Sequence, residues 1–380
     1  MRIGIITQPL RWNYGGILQN FALQTTLKRL GHQVITLDEP IVPNRSILRW
    51  CLSMAMTTLR ALKNRRWPCY FPFLIIKKYH SIIYRHTERF VEQNINVMRN
   101  TNHRRLRNAD FDALVVGSDQ VWRKIYCDDI GISFLEFAKN WTNIKRIVYA
   151  ASFGTDTWCN MRLWQVKRCA RLAAKFDALS VRESSGIALC KQHFNRHAMH
   201  VLDPTMLLDA NDYLAVSSQL HLNIGANSLF CYVLDTNPNT TAAINDITAR
   251  LGLTPFYCMP KYTNIITSKE ARQNLDQSTF PPVEQWLQSF ATASMVFTDS
   301  FHGTVFSIIF NKPFWVIGNK MRGMARFNAL LSIYGLQDRI ISPEELSSVD
   351  LNTPIDWAPV NAIREQWKQK SLKFLTDNLK

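Results

Sequence analysis

A strand–helix–strand pattern in the first forty residues narrows the fold more than any other feature of this chain. Ile3–Thr7 is a short apolar run of the kind that forms a buried strand. A polar loop with Asn13-Tyr14-Gly15-Gly16 follows, and Ile17 to Leu30 then carries Ile17, Phe21, Leu27 and Leu30 at helical spacing. Gly31 stands where a helix ends, and Gln33–Leu37 reads as a second strand ending at Asp38. Two buried strands joined by a helix must pair in parallel, because a short hairpin can join only antiparallel neighbours.

The same alternation recurs. Strands are predicted at Ala113–Val116, Ile147–Ala151, Ala178–Val181 and His200–Leu202, with helices at Met161–Phe176 and Ser184–His193. A fresh series begins near Ser228, with strands at Leu229–Leu234, Pro255–Met259, Ser294–Thr298 and Pro313–Ile317. Its helices are predicted at Thr240–Leu251, Val283–Ala291 and Thr304–Phe310, and Val360–Leu379 is polar with a helical pattern. The predicted class is therefore α/β with two Rossmann-like domains. They are placed at residues 1–215 and 216–355, with a hinge in 210–227 and a C-terminal helix over 356–380. A length of 380 residues suits two cores.

Charge is distributed unevenly. The formal net charge is +16, and residues 41–107 hold 14 Lys and Arg against Glu88 and Glu92, which is +12 of that total. This basic insertion contains Leu48, Leu52, Ala55, Leu59 and Leu62 on one helical stripe, with Arg45, Arg49, Arg60 and Lys63 elsewhere on the turns. Two readings stay open: a helix packed on the first domain, or peripheral docking on an anionic membrane surface or a lipid-linked phosphate. Nucleic acid is not expected, since no recognition motif accompanies the basic residues. The eight cysteines are scattered without a Cys-x-x-Cys pair, so neither a zinc site nor a disulfide framework is expected. No apolar run is long enough for a secretory or spanning segment, and the expected location is cytoplasmic.

Four polar patches follow predicted strands, where ligands bind in parallel sheets. The first, Asn13-Tyr14-Gly15-Gly16 with Gln19, combines flexible glycines with a helix N-terminus that favours an anion. In the second, Gly117-Ser118-Asp119-Gln120-Val121-Trp122, Ser118 and Asp119 could cap a helix, or they could hold a sugar on which Trp122 stacks. In the third, Ser180-Val181-Arg182-Glu183, the Arg182 guanidinium suits a carboxylate or phosphate, and Glu183 could simply pair with it. The fourth, Thr298-Asp299-Ser300-Phe301-His302-Gly303-Thr304, places a histidine, apt for proton transfer, in a polar turn beside Asp299.

In their order and spacing these patches resemble the polysaccharide pyruvyl transferase family, together with Leu202-Asp203-Pro204-Thr205 and the segment Lys320 to Arg326 followed by Phe327. The resemblance implies a GT-B-like pair of Rossmann domains facing across a cleft. It also implies phosphoenolpyruvate as donor substrate, no further cofactor, and a sugar or lipid-linked oligosaccharide of a cell-surface polymer as acceptor. Carried onto this chain, His302 and Asp299 become the catalytic pair. Arg182, Ser300, Phe301, Gly303 and Arg326 become donor-binding. Asn13, Tyr14, Gly15, Gly16, Gln19, Ser118, Asp119 and Trp122 become acceptor-binding. Some members have an arginine two residues before the motif histidine; Ser300 stands there in this chain, which leaves the donor's charge to Arg182, Lys320, Arg322 or Arg326. Two other functions fit the same residues less fully: a GT-B glycosyltransferase using a nucleotide sugar, and a non-enzymatic adaptor binding membrane or polymer through residues 41–107.

Overall fold

The computed structural model describes residues 1–40, 54–59, 62, 72–127, 129–220, 222, 224–318 and 324–380. Its first sheet has seven parallel strands: β1 (Arg2–Ile6), β2 (Gln33–Leu37), β3 (Val97–Met98), β4 (Ala113–Val116), β5 (Lys145–Ala151), β6 (Ala178–Val181) and β7 (Met199–His200). They lie in the order β3-β2-β1-β4-β5-β6-β7, so the direction of winding reverses between β1 and β4. The second sheet has five parallel strands: β8 (Ser228–Tyr232), β9 (Thr254–Phe256), β10 (Met295–Thr298), β11 (Phe314–Ile317) and β12 (Ile340–Ile341). Their order is β12-β11-β10-β8-β9, with the reversal between β8 and β10. At each reversal the connecting loops part and leave a crevice beyond the carboxyl ends of the strands. Ile3 pairs with Ala113 and Ile6 with Val116 across the first, and Thr298 pairs with Tyr232 across the second.

Strand composition explains the burial. Ala113–Val116 and Phe314–Ile317 are buried on both faces, as parallel strands covered by helices must be. Two helices are buried almost all round. Tyr14–Arg29 follows β1, and all nine residues of Phe301–Ile309, which follows β10, are buried. Each enters a core on more than one side, so neither shows a solvent face.

The two halves are not separated by water throughout. One continuous apolar cluster takes Leu10, Tyr14, Ile17 and Phe21 from the first half, and Phe230, Trp286, Phe290 and Phe306 from the second. Tyr14 stacks on Trp286 at 5.6 Å between centroids and donates its hydroxyl to the Pro281 carbonyl at 2.7 Å. Tyr213, on the linking helix Ala210–Ser217, meets Phe21 at 6.3 Å and Phe306 at 4.9 Å. The C-terminal helix Trp357–Asn378 returns to the first half, where Phe374 and Leu375 join Ile3, Ile5 and Val34. The described part of the basic insertion also straps the halves together: Phe280 donates its backbone N–H to the Ile83 carbonyl at 2.8 Å, and Arg89 pairs with Glu284 at 3.3 Å. Most of the predicted amphipathic helix around Leu48–Leu62 lies outside the described residues.

Candidate functional site in the crevice between the domains

Helices follow three of the four strands that carry the polar patches. The helix predicted from Ile17 starts at Tyr14, and the one predicted from Thr304 starts at Phe301. Gly15, Gly16, His302 and Gly303 therefore sit in first helical turns rather than in open loops. Ser300 is the residue capping the second helix, its hydroxyl accepting from the Gly303 N–H at 3.4 Å. The two helix starts come from different halves and meet. A Cβ added to Gly15 would lie 2.0 Å from His302 Nδ1, so the imidazole rests directly on the glycine backbone. No larger residue could occupy position 15 with the histidine in this place.

His302 is 6% exposed, and its Nε2 points at Asp203 Oδ2, 3.7 Å away. Asp203 follows β7 and is buried. Its Oδ1 accepts from the Thr205 backbone N–H at 3.1 Å and the Thr205 hydroxyl at 2.7 Å. Its Oδ2 accepts from Arg182 at 2.6 Å and the Ser118 hydroxyl at 3.3 Å. Burial works most strongly against the Asp203 charge, but His302, Arg182 and Thr205 outweigh it and hold the carboxyl well below the usual range. Asp299, expected to orient the histidine, instead takes the backbone N–H groups of Leu234 and Asp235 at 2.7 and 2.9 Å. It thereby ties the loop after β8 to the loop after β10 at the second reversal, and Asp203, from the other half, is the carboxylate beside the imidazole.

Arg182 is expected to clamp an anionic donor, and the structure corrects this. Its guanidinium is fully enclosed and directed to Asp203 at 2.6 Å, Asp119 at 2.7 Å and Glu183 at 3.3 Å, with the Phe301 ring 4.4 Å above its centre. A cation surrounded by three carboxylates has little charge to offer a ligand. Burial opposes the Asp119 charge, yet Arg182, His302 and Arg326 keep that carboxyl below its ordinary value. Glu183 goes the other way, pushed up chiefly by burial. Arg326, on helix Ala325–Tyr334, lies 5.8 Å from the centroid of the same Phe301 ring, and burial followed by repulsion from Arg182 pushes it down to about 10. Lys320 and Arg322 lie outside the described residues.

Three further expectations are corrected by burial. Trp122 is wholly enclosed among Phe134, Phe153 and Phe194, and its indole N–H points to the Ser133 carbonyl, so it cannot stack on a sugar. Tyr14 belongs to the seam between the halves. Gln19 is a brace: its amide donates to the Thr7 hydroxyl and the Gly16 carbonyl, both at 2.9 Å, while its oxygen accepts the Ser118 N–H at 3.0 Å. Ser118 and Asp119 cap no helix. Gly117 has φ of +129°, with the Tyr149 carbonyl oxygen 2.0 Å from where a Cβ would be, so only glycine fits there. Asn13 is exposed, with its amide 3.5 Å from Asp119 Oδ2.

The crevice thus gathers Asn13, Gly15, Asp119, Arg182, Glu183 and Asp203 from one half with Ser300, Phe301, His302 and Arg326 from the other. Two guanidinium groups face three carboxylates there. Positive potential also comes from backbone: the residues that precede the helices beginning at Tyr14, Ser184 and Ala325, namely Asn13, Glu183 and Met324, make no side-chain cap to them. Among the described residues no cluster of three or more His, Cys, Asp or Glu is placed to hold a metal ion, and no helix is long and apolar enough to cross a membrane.

Two parallel, doubly wound sheets with a site in the crevice between them define a GT-B-type protein. The fold is shared with UGT89C1 of Arabidopsis thaliana, complexed with UDP-L-rhamnose, at 11% identity, 98% coverage of each chain and a TM-score of 0.52. It is also shared with the UDP-GlcNAc 2-epimerase of Methanocaldococcus jannaschii, in complex with UDP-GlcNAc and UDP, at 12% identity, 99% coverage of each chain and a TM-score of 0.50. No curated protein matches the sequence. The model of the polysaccharide pyruvyl transferase family matches residues 13–321, and the chain belongs to that family.

Proposed function

We propose that this protein transfers the pyruvyl group of phosphoenolpyruvate onto two hydroxyls of one sugar, forming a ketal during synthesis of a cell-surface polysaccharide. Family membership supports the transferase class. The observation that carries the chemistry is the meeting of His302 with Gly15 and Asp203 across the domain interface. In this reading the imidazolium gives its proton to the methylene carbon of the enol, and C2 becomes electrophilic. One sugar hydroxyl adds to C2 and loses its proton to the imidazole. The C2–O bond to phosphate then breaks, and the second hydroxyl adds to C2. Of the two hydroxyl protons, one replaces that given to the methyl group and the other leaves with phosphate. Asp203, 3.7 Å from Nε2, is the carboxylate that faces the ring. Phosphoenolpyruvate is the donor substrate, and no separate cofactor enters.

The donor carries negative charge into a crevice whose own carboxylates outnumber its described guanidinium groups. Arg326 and the uncapped helix starts are the features suited to it, while Arg182 stays with its carboxylates and packs against Phe301. The test is phosphate release and the appearance of a ketal methyl resonance when phosphoenolpyruvate is supplied with sugar acceptors. His302→Ala should lower turnover by about 10²–10⁴-fold in a protein that still melts cooperatively. Undiminished turnover in that variant would remove His302 from the reaction. Product formation from a nucleotide sugar instead would assign the protein to the glycosyltransferases whose fold it shares.

A further inference from the structure

Trp12 lies directly before Asn13 and is 42% exposed, although most large aromatic side chains nearby are buried in the seam. Its indole is not loose. Tyr84, from the basic insertion, supports it at 5.6 Å with ring planes 31° apart, and Tyr84 is backed in turn by Phe280 of the second half at 5.5 Å. The Arg11 guanidinium lies 6.0 Å from the indole and donates to the Pro40 carbonyl at 2.9 Å. The loop before it is held at the end of β2, where Asp38 accepts the Leu10 N–H at 3.1 Å and pairs with Arg99 at 2.7 Å. Three segments from both halves thus hold one indole at the edge of the crevice. Only two residues separate Trp12 from Gly15, which places their Cα atoms within about 11 Å of each other. That is a span of one to two pyranose rings.

We propose that Trp12 is the platform on which a pyranose ring of the acceptor stacks. The proposal rests on the pyruvyl-transfer reading for the identity of the reaction, but the chemistry of the platform is its own. A pyranose presents a face of C–H groups rimmed by hydroxyls. An aromatic plane suits the face, and the exposed Asn13 amide, on the adjoining residue, suits the rim. The fully enclosed Trp122 cannot take this part, whereas a half-exposed, rigidly backed indole can do so with little loss of side-chain entropy.

The experiment is saturation-transfer NMR with methyl β-glucopyranoside, methyl β-galactopyranoside and methyl N-acetyl-β-glucosaminide on the wild-type protein, Trp12→Phe and Trp12→Ala. Calorimetric titration of phosphoenolpyruvate runs in parallel. Saturation should reach the ring protons of at least one glycoside in the wild type. It should persist in Trp12→Phe and weaken by about ten-fold in affinity in Trp12→Ala, while the response to phosphoenolpyruvate stays unchanged. Equal glycoside binding by wild type and Trp12→Ala would overturn the proposal, as would absence of glycoside binding by the wild type at tens of millimolar, on the order of the weakest affinities a single site shows. Glycoside binding through Trp12 without any response to phosphoenolpyruvate would keep the platform and discard the donor. The converse pattern would keep the donor and discard the platform.

Discussion

The two halves meet through two very different surfaces lying side by side. One is the aromatic seam of Tyr14, Trp286, Phe290, Phe306 and Tyr213, apolar and enclosed. The other is the crevice of Arg182, Asp119, Asp203, Glu183 and His302, enclosed but charged. The seam contributes area and dispersion, insensitive to salt and pH. The crevice contributes little net stability, since removing paired charges from water costs about as much as their attraction returns. The seam therefore holds the halves in register, and the crevice uses that register to bring His302 onto Gly15 and within reach of Asp203. Domains of this kind are expected to move unless an apolar interface restrains them. Here Trp286 on Tyr14 and the strap at Ile83–Phe280 supply that restraint.

The contrast can be broken from either side. Trp286 touches Tyr14, Tyr232, Phe290 and Phe306, with centroid distances of 5.6, 5.2, 4.6 and 4.9 Å. Trp286→Ala is expected to cost about 3–5 kcal/mol in denaturant unfolding, by the same amount at low and high salt. A loss that changes strongly with salt would show the seam to be electrostatic after all. Arg182→Ala is expected to cost at least about 3 kcal/mol at neutral pH, because three buried carboxylates lose their counter-ion. Without Arg182 their pKa values rise, so this loss should shrink as the pH is lowered toward 5 and the carboxyls take up protons. A loss independent of pH would mean that Arg182 acts through packing on Phe301 alone.

The smallest effect sharpens the comparison further. Asp119 and Asp203 are held below the usual carboxylate range in the folded protein. Their contribution is present above the unfolded-state value of about 4 and is lost as pH falls from there through the folded values. Asp203→Asn should flatten that acid limb, and the seam variant Trp286→Ala should shift the whole pH profile without changing its shape. An acid limb of unchanged slope in Asp203→Asn would detach Asp203 from the charged network.

Much of the frame was legible in the sequence, because buried parallel strands are short apolar runs. Ala113–Val116 and Ala178–Val181 fall where expected, and β10 and β11 within one residue of their predicted limits. The short edge strands Val97–Met98 and Ile340–Ile341 were not, since two residues leave no periodicity. The starts of the two site helices were also missed. Tyr14-Gly15-Gly16 and Phe301-His302-Gly303 look like turns locally, and only tertiary packing makes them helical. The residues of the site were largely visible as polar runs after strands, but their division of labour was not. Arg182 looked like an anion clamp because its carboxylates, Asp119 and Asp203, lie 63 and 21 residues away in sequence. Trp122 looked like a sugar platform because its position after a strand says nothing of the Phe134 and Phe194 rings that enclose it. Trp12, next to the first motif, carried no signal beyond its exposure, which only the fold reveals.

The central claim is that an anionic three-carbon donor binds in this crevice against Arg326 and the neighbouring helix starts. It is tested most directly by calorimetric titration of phosphoenolpyruvate into the wild-type protein and Arg326→Ala, with inorganic phosphate as the control for nonspecific attraction to a basic chain. The account predicts saturable binding of phosphoenolpyruvate, tighter than phosphate and lost in Arg326→Ala. Binding no tighter than that of phosphate, or unaltered in the variant, would contradict it.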